Sequence, residues 1–202
     1  MGTQRTKIKI CGITDPRDAE YCSEAGVDII GVVLAPSKRR VTAERARDIV
    51  RASIVPVAGL FVNEDIAVMN RLVHACGFSY VQLSGGENES TAQKIEARVL
   101  RVLHIRDEAS FGALAAYRRY DELIFDSAAG PGGSGVPFDW SLLAGRTERF
   151  FLAGGITADN AAEAMRIVHP YGIDVSSGVE SMPGVKDHGK IQALIAAVRE
   201  RE

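Results

Sequence analysis

Eight short apolar segments rich in β-branched and aromatic residues recur roughly every 20 to 30 residues, and segments of helical periodicity separate them. This alternation predicts repeated βα units and a parallel sheet that is covered on both faces. The predicted strands are residues 7–11, 28–34, 55–62, 80–84, 99–105, 122–126, 150–154 and 172–176. Helices are predicted to begin near capping residues at Asp15–Pro16, Thr42, Asn63, Glu89, Asp107, Asp139, Thr157–Asp159 and Asp187, and the sixth helix is predicted to be short.

Three helix-to-strand junctions have similar sequences and place Gly26, Gly77 and Gly172 where a helix end favours a left-handed residue. An open doubly wound sheet would also cover both faces of parallel strands. Eight evenly spaced units without a G-x-G-x-x-G motif after the first strand favour closure instead. We therefore predict an α/β fold, a (β/α)₈ TIM barrel that forms one domain over residues 1–202, with the active site at the C-terminal ends of the strands.

Charge and cysteine content limit the classes of partner. The formal net charge is -2 and the signs are interspersed, which argues against a nucleic acid or membrane partner and favours a small molecule. Cys11, Cys22 and Cys76 are odd in number and lack C-x-x-C spacing, which argues against a disulfide framework and a zinc site. Because no apolar run reaches the ~18 residues of a membrane span and no signal-peptide core is evident, a cytoplasmic location is expected.

Cys11 ends the first predicted strand and is a candidate for proton transfer. A free thiol has a pKa of ~8.5, so little thiolate exists at neutral pH without a nearby cation. Lys9 has the same strand parity, and we hypothesise that it favours the thiolate; an unchanged pKa of Cys11 in a Lys9→Met variant would contradict this. The alternative is a buried cysteine that acts as a small hydrophobe, which we expect for Cys22 and Cys76 in helical segments.

Asp126 follows an apolar strand, and a carboxylate with apolar neighbours has the raised pKa that suits a general acid. A capping or loop-ordering carboxylate is the alternative. The other polar residues at predicted strand ends are Gln82, Ser84, Asp174 and Ser176. The four histidines, His74, His104, His169 and His188, form no ligand cluster and are interpreted as structural or exposed, so we predict no metal.

Three loops complete the predicted site. Small residues at Gly154–Gly155 and Ser176–Ser177 follow the last two strands, where such barrels usually bind phosphate, although simple turns remain the alternative. The loop after strand two carries Lys38, Arg39 and Arg40, and arginine can grip a carboxylate in a two-point fork unless the run is only a solvated face. The glycine-rich loop 127–137 is a candidate lid.

Several of these residues fall within blocks that resemble the phosphoribosylanthranilate isomerase family of tryptophan biosynthesis. In chain order the blocks are KICGIT (9–14), FVN (61–63), VQL (81–83), GGSG (132–135), FDW (138–140), LAGG (152–155), DVSSGVE (174–180) and PGVKD (183–187). Their order and their span from Lys9 to Asp187 make the resemblance specific.

The resemblance implies an Amadori rearrangement that needs no cofactor, in an enzyme that is a monomer or a homodimer. Cys11 would be the general base and Asp126 the general acid, with a thiolate available near neutral pH. The implied substrate contacts are Arg39 for the anthranilate carboxylate, Asp174 for the sugar hydroxyls, Gln82 in the pocket, and Gly154, Gly155, Ser176 and Ser177 for the phosphate.

The chain departs from the family pattern at Ser84, where histidine is frequent, and at Lys38, where proline is usual. The second departure leaves open whether Arg39 or Arg40 binds the carboxylate. Val136–Pro137 also replaces a commoner Lys-Thr. A Schiff-base aldolase would need a strand-end lysine, which is missing, but a dual-substrate isomerase that accepts the histidine-pathway analogue and a non-catalytic phosphate-binding barrel remain alternatives.

Overall fold

The computed structural model describes residues 5–117, 120, 122–127 and 139–200. Eight parallel strands form a closed barrel in sequential order, and the eighth pairs with the first. The strands are β1 (Lys7–Ile10), β2 (Ile29–Val33), β3 (Val57–Phe61), β4 (Tyr80–Leu83), β5 (Arg98–Ile105), β6 (Glu122–Ser127), β7 (Phe150–Leu152) and β8 (Gly172–Val175). The predicted (β/α)₈ fold class is confirmed.

Helices follow the strands on the outside of the barrel. The α-helices are α1 (Pro16–Ala25), α2 (Ala43–Ala52), α3 (Ile66–Cys76), α4 (Glu89–Ala92), α5 (Leu114–Tyr117), α6 (Ala158–Val168) and α7 (His188–Arg199). Short 3-10 helices occupy Glu108–Ala113, Trp140–Leu143 and Ser177–Val179. Trp140–Leu143 lies where the sixth helix was predicted, and it is short, as expected. After β8 the chain forms an antiparallel hairpin of β9 (Glu180–Met182) and β10 (Val185–Lys186).

Two local predictions are wrong. The start of α3 is capped by Asp65, whose side chain accepts hydrogen bonds from the N–H groups of Ala67 and Val68, and not by Asn63. Asn63 instead has a left-handed backbone with φ 51° and accepts a hydrogen bond from the Gly86 N–H at 2.7 Å. At the third junction the left-handed residue is His169, with φ 49°, because Gly172 already lies within β8.

The remaining junctions follow the prediction, since Gly26 and Gly77 are left-handed caps with φ 92° and 83°. The interior of the barrel is filled by one cluster of inward-facing side chains: Ile29, Ala58, Tyr80, Leu100, Val102, Ile124, Phe151 and Ala153. A larger cluster packs the outer faces of the strands against the helices. The predicted lid lies, beyond Ser127, outside the described residues.

Candidate active site

Cys11 lies directly beyond β1 and is 7% exposed. Its N–H donates to the Val175 carbonyl at 2.8 Å, which ties it to the end of β8. Gly31 of β2 makes room for the thiol, because a Cβ there would lie 2.9 Å from Cys11 Sγ and 3.4 Å from Lys9 Nζ. The thiol and the ammonium group therefore border the same space, as the strand parity predicted.

Lys9 is completely buried, and its Nζ donates to Asp174 Oδ2 at 2.8 Å. Burial alone would lower the pKa of Lys9, but the negative charge of Asp174 raises it above its usual value. Lys9 is therefore a fixed cation beneath the mouth of the barrel, by which we mean the end where the C-terminal ends of the eight strands lie.

The pKa of Cys11 lies above that of an ordinary thiol, mainly because the group is buried. Lys9 lowers this pKa, as hypothesised, while the negative charge of Asp174 raises it. Burial outweighs the neighbouring cation and therefore works against the thiolate that is expected near neutral pH, and the role of Cys11 as a base stays a prediction.

Asp126 lies on β6 with its side chain directed into the mouth. Burial, together with the charge of Asp174, raises the pKa of its carboxyl, in agreement with the prediction. Its Oδ1 accepts a hydrogen bond from the Ser127 N–H at 2.8 Å. Gly154 borders this group, because a Cβ there would lie 2.9 Å from Asp126 Oδ1. The acid candidate is therefore in contact with the turn predicted to bind phosphate.

His104 is a residue of the mouth that the sequence interpretation missed. It shares the parity of Leu100 and Val102, which face the barrel interior, and it pairs with Asp126 across β5 and β6. Its ring is exposed, with Nε2 3.4 Å from the Ser84 carbonyl oxygen, and its charge lowers the pKa of Asp126. The sequence did contain a signal for this position, because every second residue of strand five from Leu100 onward faces the barrel interior.

At the mouth, the buried oxygen atoms Gln82 Oε1 and Asp174 Oδ1 face no hydrogen-bond donor from the described residues. The rest of each side chain is fixed, because Gln82 Nε2 donates to Ser84 Oγ at 3.2 Å and the second carboxylate oxygen of Asp174 binds Lys9. Buried acceptors are normally paired. These two are suited to accept hydrogen bonds from hydroxyl groups of a ligand.

Arg39 reaches the mouth, whereas Arg40 is exposed. The Arg39 chain lies over Gly12, where a Cβ would be 2.5 Å from Arg39 Cδ. One edge of its guanidinium is already paired, since Nε and Nη2 donate to Glu180 at 2.8 and 2.7 Å. Arg39 is therefore the better placed of the two candidates, and it is held by an internal carboxylate.

The two small-residue turns meet at the far side of the mouth. Gly154 and Gly155 are both left-handed, with φ 85° and 72°. Gly178 packs against the turn after β7 so closely that a Cβ would lie 2.0 Å from the Ile156 carbonyl oxygen. The Ser176 hydroxyl, in contrast, lies toward Gly12, because a Cβ at Gly12 would be 3.0 Å from Ser176 Oγ. The contact at Gly178 therefore joins the turn after β8, which contains Ser177, to the turn after β7.

A sequence model of the N-(5'-phosphoribosyl)anthranilate isomerase family matches residues 8–197. The chain belongs to this family. An N-(5'-phosphoribosyl)anthranilate isomerase from Pelobacter propionicus is 44% identical over 201 residues, which are 96% of each chain. The crystal structure of the phosphoribosylanthranilate isomerase from Thermotoga maritima superposes with a TM-score of 0.91 at 34% identity, covering 96% of this chain and 99% of that one.

A further crystal structure of a phosphoribosylanthranilate isomerase, in complex with reduced 1-(o-carboxyphenylamino)-1-deoxyribulose 5-phosphate, has a TM-score of 0.87 at 32% identity over 96% of this chain and 99% of that one. Family membership confirms the resemblance and the isomerase class, and these relatives do not favour the dual-substrate or non-catalytic alternatives.

Within the described residues, no three His, Cys, Asp or Glu side chains are grouped so as to hold a metal ion. No helix among these residues is long and apolar enough to span a membrane.

A surface cleft of about 300 Å³ lies between the loops after β3 and β4, but none of the predicted catalytic residues lines it. The buried Glu87 in this cleft binds Arg101 at 2.8 Å and also accepts hydrogen bonds from the N–H groups of Asn63 and Gly85. This network orders the two loops, so the strand-end mouth remains the candidate active site.

Proposed function

We propose that this chain isomerises N-(5'-phosphoribosyl)anthranilate to 1-(2-carboxyphenylamino)-1-deoxyribulose 5-phosphate, with Asp126 as the general acid and Cys11 as the general base. The observation that carries the assignment is that a carboxyl group with a raised pKa and a thiol beside a buried cation lie at the same end of the barrel. Burial raises the pKa of Asp126 and so favours its protonated form, and Cys11 borders the cation of Lys9. Family membership supports the same reaction.

Asp126 begins the reaction by donating its proton to the ring oxygen of the ribose. The bond from this oxygen to C1 breaks, and the nitrogen lone pair forms the C1=N double bond of a protonated Schiff base. A carboxyl group with a raised pKa is a competent donor near neutral pH. The carboxylate left behind is stabilised by the positive charge of Lys9, which lowers its pKa.

Cys11 then removes the proton from C2, and the electron pair moves into the C1–C2 bond to give an enolamine. In the same step the C=N electron pair returns to the nitrogen. The Cys11 thiol then gives a proton to C1 while the C2 hydroxyl loses its proton to the Asp126 carboxylate, which yields the ketone at C2 and restores both catalytic groups. The base must be the thiolate, which Lys9 stabilises and burial disfavours. The reactive fraction of Cys11 therefore grows as the pH rises toward its raised pKa.

Substrate binding uses the groups that the protein leaves available. Gln82 Oε1 and Asp174 Oδ1 accept hydrogen bonds from the sugar hydroxyls. Arg39 meets the anthranilate carboxylate with the edge that Glu180 does not occupy. The phosphate lies against the backbone N–H groups of Gly154–Gly155 and Ser176–Ser177, a surface of the kind that binds phosphate in these barrels.

The test is the loss of anthranilate-type fluorescence when purified protein meets freshly generated phosphoribosylanthranilate without added metal or cofactor. Cys11→Ser and Asp126→Asn should each lower kcat by at least about 100-fold, whereas Arg39→Ala should chiefly raise KM. Cys76→Ser and Asp139→Asn make the same chemical changes away from the mouth and should keep kcat within about twofold. Near-normal turnover by Cys11→Ser would refute the base assignment, and an inactive parent would refute the function.

We also propose a cytoplasmic enzyme that acts as a monomer or homodimer on this small molecule, without a nucleic acid or membrane partner. Its three cysteines are buried free thiols, which suits a reducing compartment, and its net charge of -2 argues against a polyanionic partner. Cell fractionation and analytical ultracentrifugation test location and assembly; recovery in the membrane fraction or a larger oligomer would contradict the proposal.

A further inference from the structure

Glu180 is a buried carboxylate at the start of the hairpin that follows β8, and both of its oxygens are occupied. Oε2 accepts from Arg39 Nη2 at 2.7 Å, while Oε1 accepts from Arg39 Nε and Lys186 Nζ, each at 2.8 Å. Burial alone would raise the pKa of Glu180, but the hydrogen bonds from Arg39 and Lys186 lower it below its usual value. Glu180 is therefore an anion with a fixed orientation.

Lys186 links this carboxylate to the ends of two barrel strands. Its completely buried Nζ donates to the carbonyl oxygens of Cys11 at 2.6 Å and Ser176 at 3.1 Å, in addition to Glu180. All three ammonium hydrogens can thus be satisfied. Cys11 and Ser176 lie at the mouth of the barrel. Lys186 therefore holds Glu180 in a fixed position relative to Cys11, the proposed base.

The two-point pairing restrains Arg39 in one orientation. A guanidinium is planar and has five N–H donors, and the Nε/Nη2 edge is held by Glu180. The opposite edge, formed by Nη1 and the second hydrogen of Nη2, remains to bind a carboxylate. A free arginine side chain would lose rotamer entropy on binding a ligand, and a restrained one loses less.

We propose that Glu180 is a positioning residue, which Lys186 anchors to the Cys11 and Ser176 backbones and which orients Arg39 toward the aromatic carboxylate of the substrate. The inference rests on the proposed function for its ligand. The hairpin after β8 would then contribute to substrate discrimination, because only a substrate that carries the carboxylate can bind the free edge of the Arg39 guanidinium.

A double-mutant cycle in the isomerase assay tests this role. Glu180→Gln should raise KM at least tenfold while kcat changes less than threefold, and Arg39→Ala should raise KM further. The double variant should match Arg39→Ala alone, since Glu180 acts through Arg39. Multiplicative effects on KM would overturn the proposal. Glu180→Asp keeps the charge at shorter reach and should raise KM only about two- to fivefold, so the prediction stays testable if Glu180→Gln folds poorly.

Binding measured without turnover separates this inference from the proposed reaction. Titration calorimetry would compare reduced 1-(2-carboxyphenylamino)-1-deoxyribulose 5-phosphate with the same compound lacking the ring carboxylate. Glu180→Gln should weaken the first at least tenfold and leave the second unchanged. Equal weakening of both ligands would overturn the positioning role. A parent that binds but does not isomerise would refute only the proposed reaction.

The matched control is Asp28→Asn at the opposite end of the barrel. Asp28 is also a largely buried carboxylate that pairs with cations: Arg5 at 2.5 Å, Lys7 at 2.8 Å and Arg199 at 3.7 Å. Its loss should lower stability without changing KM. A KM increase in Asp28→Asn equal to that in Glu180→Gln would show that general loosening, and not orientation of Arg39, explains the effect, which would overturn the proposal.

Discussion

Asp126 is held in surroundings that favour its neutral form, because burial and the charge of Asp174 raise its pKa. In the unfolded chain the same carboxyl ionises at its ordinary pKa of about 3.9. Below that pH it is protonated in both states. As the pH rises toward the folded-state pKa, the unfolded chain loses the proton first, so the stability that the group contributes decreases. The same surroundings that make Asp126 suitable as a general acid therefore lower the stability of the folded protein at neutral pH.

Asp126→Asn should therefore stabilise the protein while it abolishes turnover. The amide has the same shape, and its oxygen can still accept the hydrogen bond from the Ser127 N–H. We expect the Tm measured by circular dichroism to rise by a few degrees at pH 8, and the difference from the parent to shrink below about pH 4.

Asp139→Asn is the control for this measurement. Asp139 caps the 3-10 helix at Trp140–Leu143, and its hydrogen bonds to Ser141 lower its pKa. Asparagine caps about as well as aspartate, so the Tm should not rise. An equal rise in both variants, or a gain from Asp126→Asn that persists at low pH, would contradict the electrostatic explanation.

At the scale of elements, the site depends on contact between the turns after β7 and β8. Gly178 lies where a Cβ would be 2.0 Å from the Ile156 carbonyl oxygen, so Gly178→Ala must push the turns apart. We expect a stability loss of about 1–3 kcal/mol, a KM increase of about tenfold and weaker competitive inhibition by inorganic phosphate. Urea unfolding and inhibition kinetics measure these changes.

Gly112→Ala provides the comparison, because a Cβ at Gly112 meets nothing within 4 Å. It should leave KM and phosphate inhibition unchanged. If Gly178→Ala lost stability but kept its phosphate inhibition constant, the contact between the turns would not be needed for phosphate binding.

Elements governed by local chemistry could be predicted from the sequence, whereas long-range contacts could not. Gly26 and Gly77 end their helices as expected, since each follows a helical run directly. His169 replaces the expected glycine because the helix ends earlier than the glycine position suggests. The pairing of Arg39 with Glu180 joins residues 141 positions apart, and only the closed barrel brings them together. The polar residues at the predicted strand ends included Cys11 and Asp126, but the same pattern gave no indication that Glu180 pairs with Arg39.

At the scale of the whole molecule, strand β8 closes the barrel onto β1 and connects the two ends of the chain. Four residue pairs join the strands, from Lys7 opposite Gly172 to Ile10 opposite Val175. The Lys9–Asp174 ion pair and a hydrogen bond from Arg199 to the Thr6 carbonyl at 2.8 Å reinforce the closure. The eight evenly spaced units without a G-x-G-x-x-G motif favoured this closure over an open sheet, but a single cooperative domain over residues 1–202 remains a prediction.

We expect the chain to unfold in one transition because closure couples its halves, although chains above about 150 residues often populate intermediates. The single tryptophan, Trp140, reports on the second half, and the buried thiols of Cys11, Cys22 and Cys76 report on the first. Urea midpoints from tryptophan fluorescence and from pulsed thiol labelling should agree within about 10%. Thiols that become reactive while Trp140 fluorescence is still native would reveal two separately unfolding halves, and the chain would then not be one cooperative domain.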